Sequence, residues 1–162
     1  ETALREKTLI ILDSCTKDLT GEDAAYYADT MCQCAASICL HSLAKGRNTR
    51  VAATQSDKIS QCGSSFDFHP LHKWLAQLTY GPENRLESTI KIMTSEIQEM
   101  CSLFILTRRP SQKLLIRLSE LQQYMESVTL ILIDDEKTLN ENLHTIYVNT
   151  GDNIVRSLGN IT

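Results

Sequence analysis

The chain has 162 residues, a net charge of −4, 42% apolar residues and 22% charged residues. That length suits one domain with a single substantial core, and the composition is far from that of a disordered tail. The mildly acidic balance argues against a nucleic-acid binder, which needs a strong basic footprint.

Three prolines and six glycines favour long helices over many short strands joined by turns, so the expected class is all-α. The first helix is expected from Thr2 to Leu19, with Leu4, Ile11, Leu12, Cys15 and Leu19 on one stripe. The second follows Thr20 as cap, with Glu22 and Asp23 at its positive start, and runs to Lys45 before Gly46. Residues 46–69 lack sustained periodicity and are expected as one long flexible loop. A short third helix starts at Pro70, turns Leu71, Trp74, Leu75 and Leu78 inward, and stops at Gly81-Pro82.

The fourth and fifth helices rest on spacings of four and three. One stripe is Leu86, Ile90, Met93, Ile97, Met100 and Phe104; the other is Leu114, Leu118, Leu121, Met125, Val128 and Leu132. A short link with Ser111 as cap makes them an antiparallel hairpin. The sixth segment carries Leu139, Leu143, Ile146, Ile154 and Leu158. The sum is a single-domain antiparallel bundle of five to six helices over residues 1–162, with the flexible loop at 46–69. No apolar run reaches the roughly 18 residues of a membrane span.

Met31–His41 holds three cysteines and a histidine. On a helix, Cys32 and Cys39 share a direction but lie about 10 Å apart along the axis. That distance excludes a shared zinc, whose ligands sit about 2 Å from the ion, and a disulfide, whose Cα atoms lie within about 7 Å. The helical wheel buries Cys32 and Cys39 among alanines, puts Cys34 at the edge, and places Thr30 and Gln33 on the polar arc. Cys62 is expected in the loop as an exposed thiol. Six cysteines leave disulfides open, but a core of this size needs no staples, and free thiols suit a reducing compartment.

Glu141 and His144 have the Glu-x-x-His spacing of di-iron bundles, yet no second pair completes the set. His69 and His72 offer two ligands where a zinc needs more. Phosphate-loop, dinucleotide and zinc-protease motifs do not occur. No catalytic residue, metal or cofactor is therefore assigned. Two basic clusters, Lys45, Arg47 and Arg50, and Arg108, Arg109 and Lys113, follow expected helix ends and would form an anion or acidic-peptide site if they converged.

The leading expectation is a non-enzymatic protein-interaction, scaffolding or regulatory module of a larger intracellular protein, in cytoplasm or nucleus. It binds a partner helix or peptide in a groove. Phe66, Phe68 and Trp74 are the candidate anchors, with Arg108 and Arg109 at the rim. One alternative is a secreted four-helix-bundle ligand of the cytokine type, suggested by the even cysteine count, the first residue Glu1 and the Asn160–Thr162 sequon. A second is a helical enzyme with a site assembled across the bundle.

Overall fold

In three runs, Leu9–Leu12, Leu103–Leu106 and Val128–Ile133, nearly every residue is apolar and many are β-branched. A strand covered on both faces reads this way, because neither side of its pleat meets water. A computed structural model describes residues 7–56, 59–62, 68–134, 142–150 and 154–159, and in it all three runs are strands.

The elements in chain order are β1 (Lys7–Leu12), α1 (Gly21–Ala44), β2 (Asn48–Ala53), β3 (Ile59–Cys62), α2 (Phe68–Ala76) and α3 (Leu86–Ile92). They continue with α4 (Thr94–Ile97), β4 (Ser102–Thr107), α5 (Gln112–Leu121), β5 (Ser127–Ile133), β6 (His144–Val148) and α6 (Ile154–Ser157). The strands form one sheet in the order β3-β2-β1-β4-β5-β6. Five are parallel, and β3 runs antiparallel to β2 at one edge.

The two-residue period divides the sheet into two apolar faces. Ile10, Leu12, Val51, Phe104, Leu106, Ile131 and Ile133 meet the Tyr27–Cys39 side of α1, Leu71 and Leu75 of α2, and Ile154 and Leu158. Leu9, Ile11, Leu103, Ile105, Leu130 and Leu132 meet Leu86 and Ile90 of α3, Ile97 of α4, and Leu114, Leu118 and Leu121 of α5. Helices thus cover both faces, and the chain is a three-layer α/β domain.

The all-α bundle is overturned. The expected first helix contains β1. The fourth stripe runs through α3, α4 and into β4; the fifth runs through α5 into β5; the sixth contains β6. Where every residue of a run is apolar, a spacing of three and four is satisfied by default, so the stripes carried across helix–strand boundaries. The segment 46–69 is not one loop: β2 and β3 lie within it, and Cys62 is in β3.

α1 is where expected, but its buried face is rotated. Tyr27, Thr30, Met31, Cys34, Ala35, Ile38, Cys39 and Ser42 are buried, while Cys32 is only half-buried. Cys34, expected at the edge, is as fully buried as Cys39, and burial pushes its thiol up to about 12. Among the described residues Cys15, Cys32, Cys34, Cys39 and Cys101 form no disulfide. Phe66, Glu141 and the Asn160–Thr162 sequon lie outside the described residues.

Candidate functional site

Sheet order fixes where a site can form. From β1 the chain crosses to β2 on one side; from β4 it crosses through α5 to β5 on the other. Adjacent parallel strands whose connections leave in opposite directions open a crevice at their C-terminal ends, the usual ligand position in open α/β sheets. Here the crevice lies between Asp13–Asp18 after β1 and Arg108–Ser111 after β4. It is a cleft of about 140 Å³, with Thr107 at its base and Asn84, Leu86 and Glu87 on a third side.

Asp13 is the buried centre, 8% exposed. Its backbone N–H continues the ladder to the Leu106 carbonyl at 2.9 Å. The Thr107 hydroxyl donates to Oδ2 at 2.7 Å, and the Cys15 N–H donates to Oδ1 at 3.3 Å. The Thr54 hydroxyl lies at 3.5 Å from Oδ1. The Tyr27 hydroxyl, brought in by α1, donates to the Asp13 carbonyl at 2.7 Å.

The rest of the β1–α1 loop is tied on both sides. Gln55 N–H donates to Ser14 Oγ at 3.0 Å, and the Thr54 hydroxyl accepts from Ser14 N–H at 3.1 Å. Gly81 N–H donates to the Ser14 carbonyl at 3.1 Å, and Thr16 N–H donates to the Gly81 carbonyl at 2.8 Å. A Cβ at Gly81 would sit 2.9 Å from Gln55 Oε1, a contact that a shift of the flexible Gln55 side chain would relieve. The loop ends at Asp18, a non-glycine residue with φ of 67°.

Arg108 reaches across the cleft and donates to the Lys17 carbonyl at 2.7 Å, while Arg109 stands 4.0 Å from Asp18. Both members of that second pair are mostly exposed, so it contributes little to stability. Ser111 caps α5, accepting from Leu114 N–H at 3.0 Å and donating to Glu87.

Burial raises the Asp13 pKa, opposed by the Thr107, Cys15 and Thr54 hydrogen bonds and by Arg108. A folded-state value above the unfolded one means ionised Asp13 opposes folding at neutral pH. That cost is relieved as pH falls through the raised value and is gone below the unfolded value near 3.8. Wild-type stability should therefore improve relative to Asp13→Asn as pH falls from neutral, because the other carboxylates titrate alike in both. Urea unfolding of the two proteins at several pH values checks this; a constant difference, or one moving the other way, contradicts it.

The charged lining is Lys17, Arg108 and Arg109 against Asp13, Asp18 and Glu87. Hard divalent cations take several oxygen ligands with few positive neighbours. Here the one central carboxylate is already engaged and faces Arg108, and no group of three or more His, Cys, Asp or Glu side chains converges among the described residues. The exposed Lys17 and Arg109 and the half-buried Arg108 suit a carboxylate or phosphate ligand better than a divalent cation.

Arg108 and Arg109 thus lie at the cleft, following a strand rather than the helix end expected. The aromatic anchors do not join them. Phe68 and Trp74 sit in α2, half-buried against the α1 face of the core, with the Phe68 ring stacked on His72 at 6.0 Å. Neither lines the cleft. His144 begins β6, its Nδ1 3.3 Å from the Thr129 hydroxyl. Asp13, Lys17, Thr107 and Glu87 were not foreseen as site residues. Their available signal was an Asp-Ser pair ending one apolar run and a Thr-Arg-Arg triplet ending another.

No family model matches the sequence, and no curated protein matches it. Among solved structures, the chain is similar to the VWA domain of SpRpn10, with a TM-score of 0.59, 11% identity, and 97% of this chain and 95% of that one covered. It is also similar to proximal thread matrix protein 1 from the mussel byssus, with a TM-score of 0.61 and 11% identity. That match covers 94% of this chain and 45% of the mussel protein. At such identity the likeness is one of fold: this is an α/β domain with a VWA-like parallel sheet.

Proposed function

We propose that the domain is a non-enzymatic protein-interaction module that engages an acidic segment of its partner at the cleft between the β1 and β4 loops. The observation that carries this reading is the position of Lys17, Arg108 and Arg109 at the point where the strand order diverges. Arg presents paired donors to carboxylates, and rim charges steer association and set register. The VWA-like fold supports an interaction role by analogy only.

Two features support a binding role over a catalytic one. Cys15 has the Pro82 carbonyl at 3.7 Å as the neighbour of its sulfur, and Ser111 gives its proton to Glu87. No histidine lines the cleft, so neither nucleophile has an imidazole base. Cysteines that form no disulfide among the described residues support a module working in a reducing compartment, cytoplasm or nucleus.

The test is charge reversal. Arg108→Glu with Arg109→Glu should weaken binding of a short Glu-rich peptide about tenfold or more, which is about 1.4 kcal/mol or more, with the domain still folded but less stable, because Arg108 holds the Lys17 carbonyl and offsets the Asp13 charge. Fluorescence anisotropy with the labelled peptide reads the first and a thermal melt the second. Lys17→Glu, on an exposed side chain, is the parallel variant should the double change affect folding. Unchanged affinity in a folded variant would overturn the reading.

A further inference from the structure

A second depression lies on the face formed by α3 and α5. It is a groove of about 770 Å³ whose lining includes Ile90 and Lys91 from α3 and Lys113, Ile116, Arg117 and Glu120 from α5. Its apolar floor is Ile90, Leu114 and Ile116. Ile90 and Leu114 are core residues, whereas Ile116 is 54% exposed on a helix whose other large apolar side chains are buried. An isoleucine there is not required for the core that α5 makes with the sheet.

The groove is continuous with the cleft. Asn84, Glu87 and Leu114 line both. Together the two carry six cations, Lys17, Lys91, Arg108, Arg109, Lys113 and Arg117, against four carboxylates, Asp13, Asp18, Glu87 and Glu120. This local excess of positive charge sits on a chain with net charge −4. Within the groove Arg117 pairs with Glu120 at 3.4 Å, and Glu87 accepts from Ser111. Lys91 and Lys113 are exposed and make no ion pair among the described residues.

This groove is flanked by charged side chains and runs beside a helix of 10 residues, about 15 Å long. Two cations flanking a short apolar floor complement a helix with one apolar stripe and acidic side chains beside it, the helix-in-groove mode of recognition.

We infer that the α3–α5 groove docks an amphipathic helix of a partner protein, with Ile116 under its apolar stripe and Lys91 and Lys113 paired to its acidic flanks. This rests on the interaction reading above and extends it. A helix in the groove would deliver the chain adjoining it to Arg108 and Arg109, so both sites would be filled by one continuous segment.

The experiment is a display selection against the folded domain. The probe is a library of peptides of about 15 residues with apolar positions fixed at helical spacing and the flanking positions free to be acidic, basic or neutral. The selected sequences should be enriched in Asp and Glu at the flanks. As free peptides they should lose at least tenfold in affinity on Ile116→Asp and on Lys91→Glu with Lys113→Glu, and little on Leu40→Asp, a control at an exposed position of α1. A central proline in the peptide should abolish binding.

Failure to recover binders, binders without acidic bias, or binders indifferent to Ile116→Asp would overturn the groove. Binding of the folded domain to anionic lipid vesicles, lost in the lysine double variant, would assign the patch to a membrane instead and overturn the helix. The two proposals separate cleanly. Peptides sensitive to Arg108→Glu with Arg109→Glu but not to Ile116→Asp would leave the cleft standing and remove the groove. The opposite pattern would remove the cleft.

Discussion

Ile105→Ala and Leu130→Ala are each expected to cost about 2–5 kcal/mol of unfolding free energy, the range for truncating a large buried aliphatic side chain. Ile105 is fully buried in β4 and Leu130 is 1% exposed in β5, both against the α3–α5 layer. These positions discriminate between the two architectures. On helices the apolar stripes run through Phe104, Val128 and Leu132 and leave Ile105 and Leu130 off the stripe. In a sheet covered on both faces, neighbours on a strand point to opposite cores and both are buried. Ile92→Ala, at 81% exposure, should stay within about 0.5 kcal/mol. Urea unfolding followed by far-UV circular dichroism gives all three values. Small effects at Ile105 and Leu130 would mean these residues do not face a core.

The helices that carry a real amphipathic period were readable. α1 has acidic residues in its first turn and a glycine after its end, although Thr20 at its start makes no side-chain cap hydrogen bond, and α5 has Ser111 as a side-chain cap. These signals are local, and the chain obeys them. The central strands were hidden because burial on both faces removes the alternation that identifies a strand, leaving short apolar runs with no period of their own. β2 was hidden for another reason. Asn48, Thr49 and Arg50 are polar, and β3 beside it is a short edge strand, so the pair read as a loop.

The candidate site was partly legible for the same reason. The two arginines drew attention as a basic cluster. Asp13 did not, because its significance comes from ending β1 next to the end of β4, a contact between residues more than ninety positions apart in sequence. The aromatic anchors were judged by composition, which does not distinguish a surface anchor from a side chain packed on α1.

Tyr27→Ala is expected to cost about 3–5 kcal/mol, as for other large buried aromatic truncations, and Tyr27→Phe about 0.5–1.5 kcal/mol for the lost hydrogen bond. The ring is 1% exposed in the core beneath α1. Burial and the nearby Asp13 carboxylate both push its hydroxyl pKa up, so it remains a neutral donor to the Asp13 carbonyl. The Phe variant retains the packing and removes the tie between α1 and the β1–α1 loop. It should therefore weaken acidic-peptide binding more than its small stability cost implies, whereas a wholly structural role would leave affinity unchanged. Thermal melts and peptide anisotropy on both variants separate these outcomes.

The most direct measurement is amide chemical-shift mapping of the domain titrated with a short Glu-rich peptide. If the cleft at the divergence of β1 and β4 is the interaction site, the perturbed amides cluster at Ser14–Asp18 and at Thr107–Arg109 with Ser111, and they return to their free positions as salt is raised. Perturbations centred on α2, around Phe68 and Trp74, with Asp13–Asp18 and Arg108–Ser111 unmoved, would contradict it.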